Sequence, residues 1–126
     1  MKRFLTTAIT ALALAGPAYA NVFVNGPKGC DYIESWDQYG AIYTQDEDHT
    51  ILTGGELSAI EWFCAFQNPF DPYMEEGEVQ IQAGYCMEPG FIEPGVFTLM
   101  ERSDGTVQLD SSRWDDPLIL TICRAP

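Results

Sequence analysis

The chain has 126 residues, with 19 acidic side chains against 6 basic ones and a formal charge of −13. So acidic a surface repels nucleic-acid phosphates and anionic lipid, and nucleic-acid binding is excluded on that ground. Four cysteines in so short a chain point to an exported, disulfide-bonded domain.

Lys2 and Arg3, the uncharged stretch Phe4 to Ala15, the break at Gly16-Pro17 and the small-residue ending Ala18-Tyr19-Ala20 have the form of a cleavable export signal over residues 1–20. The apolar stretch is shorter than the roughly 20 residues that span a bilayer. The expectation is therefore cleavage before Asn21, a periplasmic or secreted product and no stable membrane insertion. Asn21, not cysteine, stands directly after the cleavage site, which argues against a lipid anchor. Residues 21–126 then form a single domain. Its bases are Lys28, Arg102, Arg113 and Arg124 against 19 carboxylates, a formal charge of −15.

From Asp31 to Tyr39, the aromatics Tyr32, Trp36 and Tyr39 recur at helical spacing and Gly40 is placed to cap a short helix. Gly40 to Gln45 and Thr50 to Thr53 flank the polar Asp46-Glu47-Asp48-His49 and read as a hairpin. Ser58-Ala59-Ile60-Glu61 has the form of a helix capping box. The crowding of Trp62, Phe63 and Phe66 before Asn68-Pro69 nevertheless favours a strand, with Ile60, Trp62, Cys64 and Phe66 on one face. In the next strand Val79, Ile81, Ala83 and Tyr85 share a face, opposite Gln80 and Gln82. Val96 to Glu101 and Thr106 to Asp110 flank Asp104-Gly105, a hairpin-turn signal. Leu118 to Cys123 closes the series, apolar on both faces. About seven short strands in one small domain predict a mainly β fold, an antiparallel barrel or sandwich, with at most one short helix.

Four cysteines allow three pairings. A hairpin of residues 59–67 with 78–86, centred near Glu75, sets Cys64 opposite Cys86 and leaves Cys30 to join Cys123. Cys86 shares parity with Gln80 and Gln82, so this pairing calls for a bulge near Gly84. The sequential pairing, Cys30 with Cys64 and Cys86 with Cys123, stays open. An early cysteine, Ile60-Glu61-Trp62-Phe63-Cys64-Ala65-Phe66, Tyr85-Cys86-Met87-Glu88, Asp104-Gly105 and a final Cys123 together resemble a group of small exported four-cysteine β-proteins of alphaproteobacteria. The likeness implies a compartment and a compact β fold, and no reaction.

No catalytic constellation emerges. His49 is the single histidine and reads as a solvated turn residue, and no Gly-x-Ser-x-Gly elbow is present. Nineteen carboxylates make some pair at glycosidase separation almost inevitable, which robs that signal of specificity. Asp46-x-Asp48-x-Thr50 fails as a calcium loop, because Ile51 stands where glycine is required and Leu57 where glutamate is. The clusters at Asp46 to Asp48, Glu75 to Glu78 and Asp115-Asp116 read as charged turns, and no metal or cofactor is assigned. Two candidate binding features remain. The near-repeat Glu88-Pro89-Gly90-Phe91-Ile92 and Glu93-Pro94-Gly95-Val96-Phe97 predicts two Pro-Gly turns in series with Phe91 and Ile92 between them, which cap the core if they point in, the favoured reading, and form an apolar tip between Glu88 and Glu93 if they point out. Tyr32, Trp36, Tyr39 and Tyr43 form a candidate aromatic surface for sugar rings. The expected function is a non-enzymatic periplasmic binding protein, in its sharpest form an acidic inhibitor of a basic envelope hydrolase. A small glycan-acting enzyme or carbohydrate-binding module is the alternative.

Overall fold

The computed structural model describes residues 21–126, and the expected export signal, residues 1–20, lies outside the described residues. The strands are β1 (Val22–Asn25), β2 (Ser35–Asp37), β3 (Gly40–Ile42), β4 (Thr50–Thr53), β5 (Glu56–Ser58), β6 (Phe63–Phe66), β7 (Val79–Glu88), β8 (Phe91–Glu101), β9 (Thr106–Ser111) and β10 (Leu118–Cys123). Eight of them close into an antiparallel barrel in the order β1-β10-β9-β8-β7-β6-β5-β4, and β2 and β3 pair apart from it. A barrel of this strand number encloses just enough room for side chains. Phe23, Leu52, Leu57, Phe97, Leu99, Val107, Leu109 and Leu120 fill it and are fully buried.

A second apolar layer lies outside the barrel wall. Period-two alternation sends Phe23 inward and Val22 and Val24 outward, and on β4 it sends Leu52 inward and Ile51 outward. Val22, Val24 and Ile51 are nevertheless buried, together with Tyr32 and Cys123, beneath Ile33, Trp36, Ala41 and Tyr43. The excursion between β1 and β4 is thus a cover over one outer wall. The Cys30–Cys123 disulfide, Cα–Cα 5.4 Å, fastens its start to the end of β10.

The second bridge joins Cys64 to Cys86, Cα–Cα 3.9 Å. β6 and β7 pair with Phe63 opposite Met87, Cys64 opposite Cys86 and Ala65 opposite Tyr85, each pair equidistant from position 75. No bulge at Gly84 is needed, because Gln80, Gln82 and Cys86 take the half-buried inward side and Val79, Ile81 and Tyr85 point outward.

Three expectations are corrected. Asp31 to Tyr39 does not form a helix through Trp36: helical hydrogen bonding stops after one 3-10 turn, Gly29–Tyr32. Asp37 Oδ1 then accepts the N–H groups of Tyr39 and Gly40, which closes a β2–β3 hairpin with Trp36 opposite Ala41. Tyr32 and Trp36 recur because both pack in the layer on the barrel wall, whereas Tyr39 stands exposed on the turn. Gly40 to Gln45 does not pair with Thr50 to Thr53, since β4 is taken by β1 and β5 to close the barrel. Only the first Pro-Gly is a turn. Gly90, at φ 102°, links β7 to β8, whereas Gly95 has no positive φ and Pro94 stands opposite Tyr85 within β8. Proline is tolerated there because β8 pairs with β9 only from Phe97 onward, leaving that strand edge open.

Candidate functional site

Among the described residues nothing roofs the wall opposite the cover. In barrel order β7 lies farthest from β1, and its outward residues Val79, Ile81 and Tyr85 are 51%, 63% and 39% exposed. Register places Met100, Thr98, Val96, Pro94 and Ile92 of β8 opposite Val79, Ile81, Ala83, Tyr85 and Met87, so they share that face. On the other side β6 adds Phe63 and Ala65, with the Phe63 and Tyr85 rings edge to face at 6.4 Å. The Thr98 and Tyr85 hydroxyls are the polar groups in this array and no charge interrupts it. From strand rise and spacing the face runs roughly 27 Å along β7 and roughly 10 Å across the three strands, about the size of the largest apolar patch on an ordinary monomer, which is often functional. A shallow depression of about 410 Å³ lined by Ala65, Phe66, Gln67, Ala83, Gly84, Tyr85 and Pro94 lies within it.

Carboxylates frame the face. Glu75 and Glu76 are exposed in the loop before Val79, and Glu61 and Glu88 are exposed at the far end. Phe91 and Ile92, at the tip of the β7–β8 hairpin, are 50% and 59% exposed. They are successive strand residues and point to opposite sides, Ile92 continuing the apolar face and Phe91 turning from it. Glu93 turns the same way as Phe91 and meets the Arg113 guanidinium at 3.3 Å.

The four candidate aromatics occupy different environments. Tyr32 is buried, Trp36 and Tyr43 are half-buried against the outer layer, and Tyr39 is 88% exposed on the β2–β3 turn. Tyr39 and Tyr43 both line a cleft of about 730 Å³ between this hairpin and the barrel end. Tyr32 is instead the platform for His49, whose ring stacks on it at 4.1 Å. Burial is the leading cause that pushes the Tyr32 phenol above its ordinary value.

His49 is not the solvated turn residue its acidic neighbours imply, for its side chain is 1% exposed. The Lys28 N–H donates to Nε2 at 3.1 Å, which requires the ring proton on Nδ1, where it donates to Asp46 Oδ1 at 2.8 Å. An Asp–His pair of this kind is the orienting half of a catalytic triad, yet here the basic nitrogen is capped by backbone and sealed from solvent. The cluster is structural: it ties the 44–49 loop to the chain before Cys30. Asx-like spacing at Asp46 and the single histidine three residues on were the only sequence hints.

The hydrogen bond from His49 is the main reason the Asp46 carboxyl titrates below its ordinary value. A carboxyl whose folded pKa is depressed stabilises the fold above its unfolded pKa, and that contribution is lost as pH falls through the folded value. The stability difference between the wild type and Asp46→Asn is therefore expected to be largest near neutrality and to shrink below about pH 4, as read by urea denaturation across pH. A difference independent of pH would show that the carboxylate charge plays no part.

Asp104 is likewise held in its ionised form, chiefly by the Thr106 hydroxyl and then its N–H. Both shifts run opposite to what a glycosidase acid requires. Among the described residues no group of three or more His, Cys, Asp or Glu side chains is arranged to hold a metal ion, and no helix is long and apolar enough to cross a membrane. No protein-family model, curated protein or solved structure matches the chain.

Proposed function

We propose that the chain is an exported, periplasmic, non-enzymatic binding protein that docks a basic partner protein on its β6–β7–β8 face. The observation that carries this reading is the asymmetry of the barrel. Where β1 and β4 are apolar outside, the chain builds its own cover, and where β7 and β8 are apolar outside, none of the described residues forms one. Apolar surface on this scale has a standing free energy of burial of about 25 cal/mol per Å², which only a partner can release. The framing carboxylates choose the partner's sign. A second copy would bring like-charged rims together, whereas a basic protein meets them with complementary charge and is steered in by the protein's field. In its specific form the partner is a basic glycan hydrolase of the envelope, and docking blocks its cleft. Two disulfides suit an oxidising compartment, and the export-signal pattern of residues 1–20 supports the same location.

The test uses residues 21–126 with hen lysozyme as the basic probe, followed by calorimetry and by hydrolysis of peptidoglycan. Saturable binding that inhibits turnover and weakens as ionic strength rises is expected. Ile81→Ser and Tyr85→Ala should each weaken binding at least about tenfold, the effect of truncating a central apolar anchor, with unchanged unfolding midpoints. Failure to bind lysozyme or any basic protein of an envelope extract would overturn the reading. So would binding indifferent to both substitutions, concentration-dependent dimerisation through this face, or adsorption to lipid vesicles in place of protein.

A further inference from the structure

The cleft beneath the β2–β3 hairpin is a separate site at the barrel end, built from residues that the apolar face does not use. Its floor is Val22 and Phe70, both buried. One wall is Tyr39 and Tyr43 from the hairpin, the other Asp71 between Pro69 and Pro72 of the β6–β7 loop. That loop is held in place at several points. Asn21 Nδ2 donates to the Pro72 carbonyl at 3.0 Å, and the Phe70 N–H donates to the Gly54 carbonyl at 2.8 Å. The Gln80 carboxamide takes the Asp71 N–H at 2.7 Å and donates to the Asp71 carbonyl at 3.1 Å. Asp71 thus lines the same cleft as the tyrosines from a fixed backbone.

We propose that this cleft binds a small organic cation of the alkylammonium or quaternary ammonium class. At about 730 Å³ it lies within the range of small-molecule sites. Phenol rings present the negative face of their quadrupole to a cation, and the Asp71 carboxylate supplies a countercharge. No basic residue lines the cleft. The surrounding domain, with 19 acidic side chains against 6 basic over the whole chain, concentrates cations and repels anions. Asp71 is already committed on one oxygen, since Oδ1 accepts the Tyr73 N–H at 2.9 Å, which orients the carboxylate without neutralising it. A cation with an apolar coat suits such a lining, because its methyl or methylene groups pack on Pro69, Pro72 and the rings while its charge stays near Asp71.

The experiment is titration of residues 21–126 with choline, with its neutral isostere 3,3-dimethylbutan-1-ol, and with N-acetylglucosamine, followed by the ring proton signals of Tyr39 and Tyr43. Choline is expected to saturate and to shift both rings, and the neutral isostere to bind several-fold more weakly, the scale of a cation–π contact at an exposed site. Tyr39→Ala, at an exposed turn position, and the isosteric Asp71→Asn should each reduce choline affinity several-fold without altering the unfolding midpoint. Equal affinity for choline and its neutral isostere would overturn the proposal by showing a merely apolar cleft. Saturation by N-acetylglucosamine without choline would overturn it in favour of a sugar site, and no saturation by any probe would overturn it outright. None of these outcomes bears on lysozyme binding, which reads a different face.

Discussion

Replacing Cys30 and Cys123 together by serine is expected to remove about 4.5 kcal/mol of stability, the largest loss available from a single interaction in this domain. The bridge spans a sequence separation of 93 residues, so its absence releases nearly the whole chain in the unfolded state, and the entropy of closing a loop grows with its length. A domain of this size has roughly 5 to 15 kcal/mol in total. The double variant should therefore sit close to unfolding at ambient temperature, with a urea midpoint far below that of the wild type. A second readout separates two origins. The bridge also pins the cover, because Cys30 lies in the 3-10 turn whose Tyr32 packs with Val22, Val24 and Ile51. If Trp36 fluorescence changes at lower urea than barrel signals such as Trp114, the cover detaches first. If the midpoint is unmoved, the bridge is an ornament of the native state and the loop-entropy account is wrong.

Gly26→Ala should be among the most damaging substitutions that add a single methyl group. Gly26 has φ 147°, where L side chains are strained, at about 1 to 3 kcal/mol. A Cβ there would also lie 2.2 Å from His49 Cδ2 and 2.8 Å from the Asp48 carbonyl oxygen. Overpacking of this kind costs about 1 to 3 kcal/mol more, and its relief by displacing the imidazole would break the bonds to Lys28 and Asp46. The combined loss is about 4 kcal/mol by these two contributions. His49→Ala in the same chain gives a double-mutant cycle. Removing the ring empties the space the new methyl enters, so the second substitution should cost markedly less in the Gly26→Ala background than alone. Strict additivity of the two losses would show that ring and methyl do not meet.

Both predictions rest on the cover, and its exposure to view differs along the chain. The Cys64–Cys86 pairing was legible because local symmetry about Glu75 sets a hairpin register, and the register alone decides which residues oppose each other. The Asp104-Gly105 turn was legible for the same local reason, as was a mainly β fold from strands of period two. The candidate face was only half legible. Alternation put Val79, Ile81, Ala83 and Tyr85 on one side and Gln80 and Gln82 on the other, and the ordinary inference sends the apolar side inward. The barrel does the reverse because Cys86, in register with Cys64, has to reach the interior, and Gln80 and Gln82 follow it by parity. A glutamine at the rim of a short barrel keeps its carboxamide satisfied, as Gln80 does on Asp71, so the inversion carries little cost.

Composition, period and spacing by themselves determined an acidic, four-cysteine, mainly β domain and the register of its central hairpin, since these depend on neighbours in sequence or on charge alone. Which outer wall is covered, that His49 is buried on Tyr32, and that Tyr39 and Asp71 line one cleft were decided only by closure of the barrel. Closure pairs β1 with both β4 and β10, and so turns segments far apart in sequence into the two opposite outer walls, one roofed by residues 29–43 and one left open.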